Sequence, residues 1–164
     1  MTGEFPANLH LDREQYIVVF TLDEPNYALP LTAVERVVRA MEITPLPKAP
    51  AIVLGVINAQ GHIIPVLDIR ARFHLPARAM DCDDRFIIAR TAKRSVALLV
   101  DDVVDTRELA DGAFVEARLA LPFAEYLQGV VSLDDQLVLI YDLEQFLSLA
   151  EEHELDAALG EGAG

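Results

Sequence analysis

The sequence predicts a mainly β protein made of two similar lobes, because it contains two internal repeats and a series of strand-like apolar runs. The segment 55–73, GVINAQGHIIPVLDIRARF, returns 74 positions later as GVVSLDDQLVLIYDLEQFL. Further upstream, the segment 16–34 matches the segment 85–103 at an offset of 69 positions. A longer connection in one copy accounts for the difference of five residues between the offsets. A self-similar pair of β units is more typical of a scaffold than of an enzyme.

The first copy begins with two predicted strands, 16–22 and 27–31, which a polar turn separates. The first strand is apolar at successive positions, so both of its faces are expected to be covered. The next apolar residues, Val34, Val37 and Val38, fit either a short helix or a strand, since their spacing does not decide between the two. The proline-rich connector that follows cannot enter a sheet interior.

A β hairpin is predicted next, with strands at 53–57 and 62–69 and a turn at 58–61. Gly61 can supply a positive φ in that turn. Asp68 is expected to cap a short helical turn over 70–73. The polar stretch 76–84 is the predicted link between the two lobes.

The second copy supplies predicted strands near 85–91, 95–100, 127–133 and 136–141. Asp142 and Gln145 resemble a capping box at the start of a helix over 142–151. The apolar face of that helix consists of Leu143, Phe146, Leu147 and Ala150.

The chain is therefore expected to form one domain over residues 14–150. Lobe one extends over about 16–75, lobe two over about 85–142, and the short helix follows at 142–151. Residues 1–13 and 152–164 are predicted to be flexible tails.

Charge and composition restrict the classes of partner. The formal net charge is −14, and no Lys or Arg follows Arg118, whereas ten acidic residues do. Such a field repels phosphate backbones, so we expect no nucleic-acid partner.

No apolar run approaches the roughly 18 residues of a membrane span, so we expect no direct membrane insertion. The N-terminal residues lack a secretory signal, and the single cysteine, Cys82, cannot form an internal disulfide, which together indicate a cytoplasmic protein.

Patterns typical of catalysis are missing from the sequence, which has no nucleophile elbow, no glycine-rich phosphate loop and no metal-ligand spacing of histidines. Asp101, Asp102 and Asp105 are its one tight group of carboxylates. Because they end a predicted strand, a solvated edge is favoured over a cation site. We therefore predict no enzyme activity, no metal site and no cofactor.

The repeated segment resembles the signature of the CheW family, the small adaptors of bacterial chemosensory arrays, whose pattern is approximately G-x-x-N-L-R-G-x-x-x-P-V-x-D-L-R-x-x-F. The matching residues are Gly55, Asn58, Gly61, Pro65, Val66, Asp68, Arg70 and Phe73. A later V-D-x-V element is present at 100–103, and the resemblance extends over about residues 14–150.

This resemblance implies two SH3-like, five-stranded β barrels packed side by side, with a short C-terminal helix. It also implies an adaptor that binds no cofactor and couples the cytoplasmic tip of a methyl-accepting chemoreceptor to the regulatory domain of a CheA-type histidine kinase. Such a protein would be cytoplasmic and recruited to receptor arrays at the inner face of the membrane. The pathway, whether flagellar, pilus, biofilm or second-messenger, stays open.

The same resemblance places a receptor helix in an apolar groove between the lobes and the kinase domain at the barrel ends. The partner-binding residues that it implies are Val34, Arg36, Asn58, Gln60, Gly61, Val103 and Thr106. Because a groove strip and a core strip have the same pattern in sequence, both interpretations are open for Val34 and Val103.

Two positions depart from the family pattern. Gln60 stands where the family has an arginine in the hairpin turn, and Arg36 stands where the family commonly has a glutamate. The resemblance implies that these positions are neighbours, so the Gln60 amide oxygen would accept a hydrogen bond from the Arg36 guanidinium.

A small β-barrel protein that binds a ligand or a nucleic acid is the alternative interpretation. The sequence offers it little support, because it has no Trp and only 7% aromatic residues for stacking.

Overall fold

The computed structural model describes residues 16–23, 26–109, 115–116 and 126–163, so the tail predicted at 1–13 lies outside the described residues. Within these ranges the chain is mainly β, as the sequence predicts, and its strands form two sheets. In chain order the strands are β1 (Tyr16–Thr21), β2 (Asn26–Pro30), β3 (Val34–Arg39), β4 (Val53–Ala59), β5 (His62–Leu67), β6 (Arg85–Arg90), β7 (Ser95–Val100), β8 (Asp102–Glu108), β9 (Val115–Glu116), β10 (Leu127–Leu133) and β11 (Gln136–Tyr141).

Each sheet surrounds an apolar cluster of its own. The first sheet has the order β8-β1-β2-β11-β10-β9, and the second has the order β3-β6-β7-β5-β4. The predicted pair of five-stranded barrels is confirmed, and the two-residue strand β9 adds a sixth strand to the edge of the first barrel.

The two barrels are not the two halves of the chain, which corrects the predicted lobe boundaries. Strands β1 and β2, assigned to lobe one, pair with β8 and β11. Strands β6 and β7, assigned to lobe two, pair with β3 and β5. The stretch 76–84 therefore connects two strands of the same sheet rather than two lobes. A repeat identifies which strands are alike, but long-range packing decides which strands pair.

The repeat itself is reproduced in the strand registers. Ala28 pairs with Ile140, and its counterpart Ala97 pairs with Val66, the counterpart of Ile140. The first barrel thus combines the hairpin β1-β2 of the first repeat with β8 and the hairpin β10-β11 of the second repeat. The second barrel combines the hairpin β6-β7 of the second repeat with β3 and the hairpin β4-β5 of the first repeat.

Irregularities in the ladders recur at matching positions as well. The register shifts past Glu35 in β3 and past its counterpart Val104 in β8. It shifts again past Leu54 in β4 and past its counterpart Gln128 in β10. A β-bulge bends its strand and increases the local twist, so two bulges at equivalent positions curve each barrel.

A third apolar cluster, the central cluster, lies between the two barrels. Alternation along β1 shows how one strand serves two cores, because Val18 and Phe20 belong to the central cluster whereas Ile17 and Val19 face the interior of the first barrel. The prediction that both faces of this strand are covered is confirmed. Each fully buried Leu, Ile or Phe side chain contributes about 1.5–3 kcal/mol, so the central cluster is a major source of stability.

Phe73, the last residue of the signature, ends the short helix after β5 and packs that segment against the first sheet through aromatic contacts in the central cluster. Its ring stacks on Tyr141 of the first sheet with 4.1 Å between centroids. It also contacts Tyr27 at 5.2 Å and Phe146 at 5.8 Å. Aromatic pairs of this kind add about 0.5–1.5 kcal/mol beyond the area that they bury.

The short helix α1, Ile69–Arg72, begins at the predicted cap. Asp68 Oδ1 accepts a hydrogen bond from the backbone N–H of Ala71 at 3.2 Å, which confirms the expectation for this residue. The equivalent Asp142 caps only a single 3₁₀ turn, Leu143–Gln145.

The predicted C-terminal helix is present as α2, but it extends over Leu149–Ala163 rather than 142–151, so residues 152–163 are helical where a flexible tail was predicted, and residue 164 lies outside the described residues. Its true start is a capping box: Ser148 Oγ accepts from the N–H of Glu151 at 3.1 Å, and Glu151 Oε1 accepts from the N–H of Ser148 at 2.8 Å. Leu155 is fully buried in the central cluster, whereas Ala150 is exposed. Among the described residues, no helix is long and apolar enough to span a membrane.

Gly55 and Gly61, two signature residues, permit a direct prediction about stability. Gly55 has a φ of 151°, and a Cβ atom there would lie 2.4 Å from the carbonyl oxygen of Thr44, whereas a Cβ at Gly61 would meet nothing within 4 Å. We expect Gly55→Ala to lower the free energy of unfolding by more than about 3 kcal/mol, because backbone must move, and Gly61→Ala by only about 1 kcal/mol from its positive φ. Urea denaturation of both variants checks this order, and equal losses would contradict the clash.

Candidate partner-binding surfaces

Four of the predicted partner-binding residues, Val34, Arg36, Val103 and Thr106, lie on two equivalent strands, β3 and β8, each at the edge of its sheet. Val34 is 8% exposed and belongs to the central cluster. Val103 is half-buried and packs against the same cluster, and Thr106 lies opposite Val18 on the strand beside it and is exposed. Val34 is therefore a core residue, whereas Val103 and Thr106 extend to the surface.

Val37 occupies the equivalent position on β3, beside the same cluster, although sequence reasoning treated it only as a strand or helix residue. It is the repeat counterpart of Thr106, and it lies opposite Ile87 of the central cluster. Its side chain is 39% exposed, because no described strand pairs with the outer side of β3. We call Val37, Val103 and Thr106 the rim of the central cluster.

The hairpin turn between β4 and β5 consists of the predicted residues Gln60 and Gly61, and the predicted Asn58 lies just before it in β4; all three are exposed. Gln60 and Gly61 have φ values of 55° and 86°, as a type I′ turn requires. Asn58 Oδ1 accepts a hydrogen bond from the N–H of Gly61 at 2.9 Å. Asn58 and Gly61 thus shape the turn, and the Gln60 side chain is presented to solvent.

Arg36 lies at the same end of the second barrel, where it lines an open cleft of about 380 Å³. Side chains from β3, β5, β6 and β7 and Leu159 of α2 form the walls. Within the described part of the chain, no hydrogen bond joins Arg36 to Gln60, so the expected pair is not formed. The Nε atom of Arg36 is buried and has no hydrogen-bond partner there.

Arg70 of the signature and Asp101 of the V-D-x-V element meet in an ionic cluster that sequence reasoning did not find. Arg70 Nη2 lies 2.8 Å from Asp101 Oδ1, and Arg70 Nη1 lies 2.9 Å from Asp23 Oδ1. Arg78 pairs with both Asp101 and Asp84. The cluster ties the turn after β1 to helix α1 and to the end of β7, so two motif elements that are remote in sequence form one structural feature.

The solvated edge predicted for the three acids is wrong for Asp101, whose side chain is only 23% exposed. Burial acts to raise the pKa of Asp101, but hydrogen bonds from Arg70, Arg78 and the N–H of Asp23 outweigh it and hold that pKa below its ordinary value. Asp102 and Asp105 are exposed, as expected.

Among the described residues, one group of side chains could hold a metal ion: potential ligand atoms of Asp81, Cys82 and Asp83 lie within 4.8 Å of one another. All three residues are exposed. The charge of Asp83 and a hydrogen bond with Asp81 raise the pKa of the Cys82 thiol, which disfavours the thiolate that a metal would need. The absence of a metal site stays a prediction.

The ionic cluster predicts an acid-dependent contribution to stability. Since the pKa of Asp101 is lowered on folding, its contribution is present above the unfolded value of about 3.9 and is lost as the pH falls through the folded value. We expect Asp101→Asn to cost about 2 kcal/mol at pH 7, and the difference from the natural protein to shrink below about pH 3. Urea denaturation of both proteins from pH 7 to pH 2.5 measures this difference in the free energy of unfolding. A difference that does not change with pH would show that the charge of Asp101 is not the cause.

Burial of Val34 predicts that a charge at this position disrupts the fold. Val34→Asp would place an unpaired carboxylate in the central cluster, at an expected cost of more than about 3 kcal/mol. Val34→Ala should cost about 1–2 kcal/mol, because it removes only methyl groups. Thermal melts followed by circular dichroism test both variants, and an aspartate variant as stable as the alanine variant would contradict the core position.

Comparisons with known proteins agree with this architecture. A family model described as the CheW-like domain matches residues 16–151. The chemotaxis protein CheW of Treponema pallidum (strain Nichols) is 26% identical over 153 residues, which is 88% of each chain. The chemotaxis protein CheW of Klebsiella aerogenes is 28% identical over 139 residues, which is 84% of each chain.

A solved structure has the same fold. The crystal structure of the scaffolding protein TtCheW from Thermoanaerobacter tengcongensis matches with a TM-score of 0.76 and 29% sequence identity, covering 84% of this chain and 95% of that chain. Because the family model spans most of the chain and the double barrel is shared with a solved member, this protein belongs to the CheW family.

Proposed function

We propose that this protein is a non-catalytic adaptor that couples the cytoplasmic domain of a methyl-accepting chemoreceptor to the regulatory domain of a CheA-type histidine kinase. It acts in the cytoplasm, where it is recruited to receptor arrays at the inner face of the membrane. Family membership supports the chemotaxis role, and the rim of the central cluster is the observation that supports the receptor contact.

The rim fits a receptor helix because it presents apolar and small polar side chains beside a packed core. Val37 is 39% exposed, and Val103 and Thr106 occupy related positions on the equivalent edge strand. An amphipathic helix that covered these side chains would bury apolar surface without displacing any element of the barrels. Val34 supports the rim from below rather than contacting the helix directly.

The barrel ends fit the kinase domain. Ile63 in β5 is 58% exposed, and its repeat counterpart Leu137 in β11 is 71% exposed, so each barrel has one large apolar side chain at the equivalent position. Exposed apolar residues of this size commonly mark protein interfaces. Because the two ends are equivalent, one adaptor could contact a kinase regulatory domain at the end of each barrel.

The four polar residues that are buried as whole residues in the described part of the chain, Arg70, Asp84, Thr91 and Glu152, each have a structural partner, which fits a scaffold. Arg70 pairs with Asp101, Asp84 with Arg78, and Glu152 with Arg94. The Thr91 hydroxyl donates a hydrogen bond to the carbonyl oxygen of Arg94. These groups are held for folding and are not presented to a substrate.

Separate loss of the two partners tests the proposal. Val37→Asp is expected to weaken binding of a receptor cytoplasmic fragment about tenfold or more, because it places a charge in an apolar contact. The double variant Ile63→Asp with Leu137→Asp should weaken binding of the kinase regulatory domain by a similar factor and leave receptor binding unchanged. Titration calorimetry with both partners measures the affinities.

Met80→Asp is the matched control, since Met80 is 40% exposed but lies in the connection before β6 rather than on a strand. It should leave both affinities within about twofold. Failure of the unmodified protein to bind either partner would refute the adaptor role. Equal effects of Val37→Asp and Met80→Asp would refute the assignment of the rim.

A further inference from the structure

Three arginines line the cleft at the end of the second barrel, and two of them form no ion pair with any described residue. Arg36, Arg90 and Arg94 line it together with one carboxylate, that of Glu35. Glu35 Oε1 accepts a hydrogen bond from the Ser95 hydroxyl at 3.0 Å. The charge of Arg94 is compensated by acids that do not line the cleft, because Arg94 forms ion pairs with Glu152 and Asp156 of α2.

Arg36 and Arg90 have no acidic partner in the part of the chain that the structure describes. Arg90 is exposed, so water can accept the hydrogen bonds of its guanidinium group. The Arg36 side chain is half-buried, and its Nε is enclosed without an acceptor. Leaving a buried donor unsatisfied costs about 1–3 kcal/mol, and more when the group is charged, so this arrangement lowers the stability of the free protein.

We propose that the cleft binds the carboxylate of an acidic side chain on the protein that docks at this barrel end. The inference rests on the adaptor function proposed above, in which the docking protein is the kinase regulatory domain. The partner's Asp or Glu pairs with the terminal guanidinium nitrogens of Arg36 and Arg90, because Arg36 Nε is enclosed by the protein and cannot be reached from the cleft. Ile63 at the mouth of the cleft provides an apolar contact beside the charge pair.

Charge decides between a carboxylate and a phosphate. Glu35 lies inside the cleft, and Glu152 and Asp156 stand next to it on α2. These three acids repel a dianion more strongly than a monoanion, so a carboxylate is favoured over a phosphate.

Arg36→Met separates binding from folding. The variant keeps a long side chain but removes the unsatisfied Nε, so its melting temperature should be equal to or higher than that of the natural protein. Its affinity for the kinase regulatory domain should nevertheless fall at least tenfold. Arg39→Met on the same strand is the matched control, because Arg39 is exposed and outside the cleft, and its affinity should stay within about twofold.

Each other outcome overturns a stated part of the proposal. A drop of several degrees in the melting temperature of Arg36→Met would make Arg36 a structural residue. Equal affinities of the Arg36 and Arg39 variants for the kinase domain would refute the cleft while leaving the adaptor role intact. Binding of inorganic phosphate by the natural protein at millimolar concentration, lost in Arg36→Met while kinase affinity is kept, would make the cleft a small-anion site instead. If the natural protein binds neither partner, the adaptor function fails, and this inference fails with it.

Discussion

The central cluster is the constraint on which the rest of the molecule depends, because both barrels and the C-terminal helix bury side chains in it. It fixes how the barrels sit against each other, and the stacked rings of Phe73 and Tyr141 and the ion pairs of Arg70 complete its border. The same cluster explains the proposed receptor surface. A rim of half-exposed residues on a rigid core provides a preformed contact, which avoids the entropy cost of ordering a loop on binding.

Local patterns in the sequence were sufficient for most strands and for the cap at Asp68, but they left β3 undecided between helix and strand and did not predict β8 or β9. They were insufficient for the pairing of strands, since two equivalent copies can pair within themselves or with each other and the patterns are the same. The C-terminal helix was misplaced for a related reason. Asp142 gives a plausible start, but the S-x-x-E pattern at Ser148–Glu151 is the stronger signal, and it was overlooked.

The site could be predicted only in part. The motif identified Val34 and Val103, but whether they are core or surface depends on the burial that the folded edge strands create. Arg70 and Asp101 were each matched to a motif, yet their contact requires the folded chain. Arg36 was recognised as a departure from the family pattern. Its unsatisfied Nε, however, is a property of its surroundings and has no counterpart in the sequence.

The exchange of strands between the repeats gives the chain the architecture of a domain-swapped homodimer whose two subunits are joined by residues 76–84. Ala28 reaches across to Ile140 and Val66 to Ala97, so neither repeat contains a complete barrel. A chain emerging from the ribosome cannot close its first barrel until nearly all of it has been made, which favours folding as one cooperative unit. A cut in the joining segment would therefore produce two complementary fragments that fold only by associating, rather than two domains.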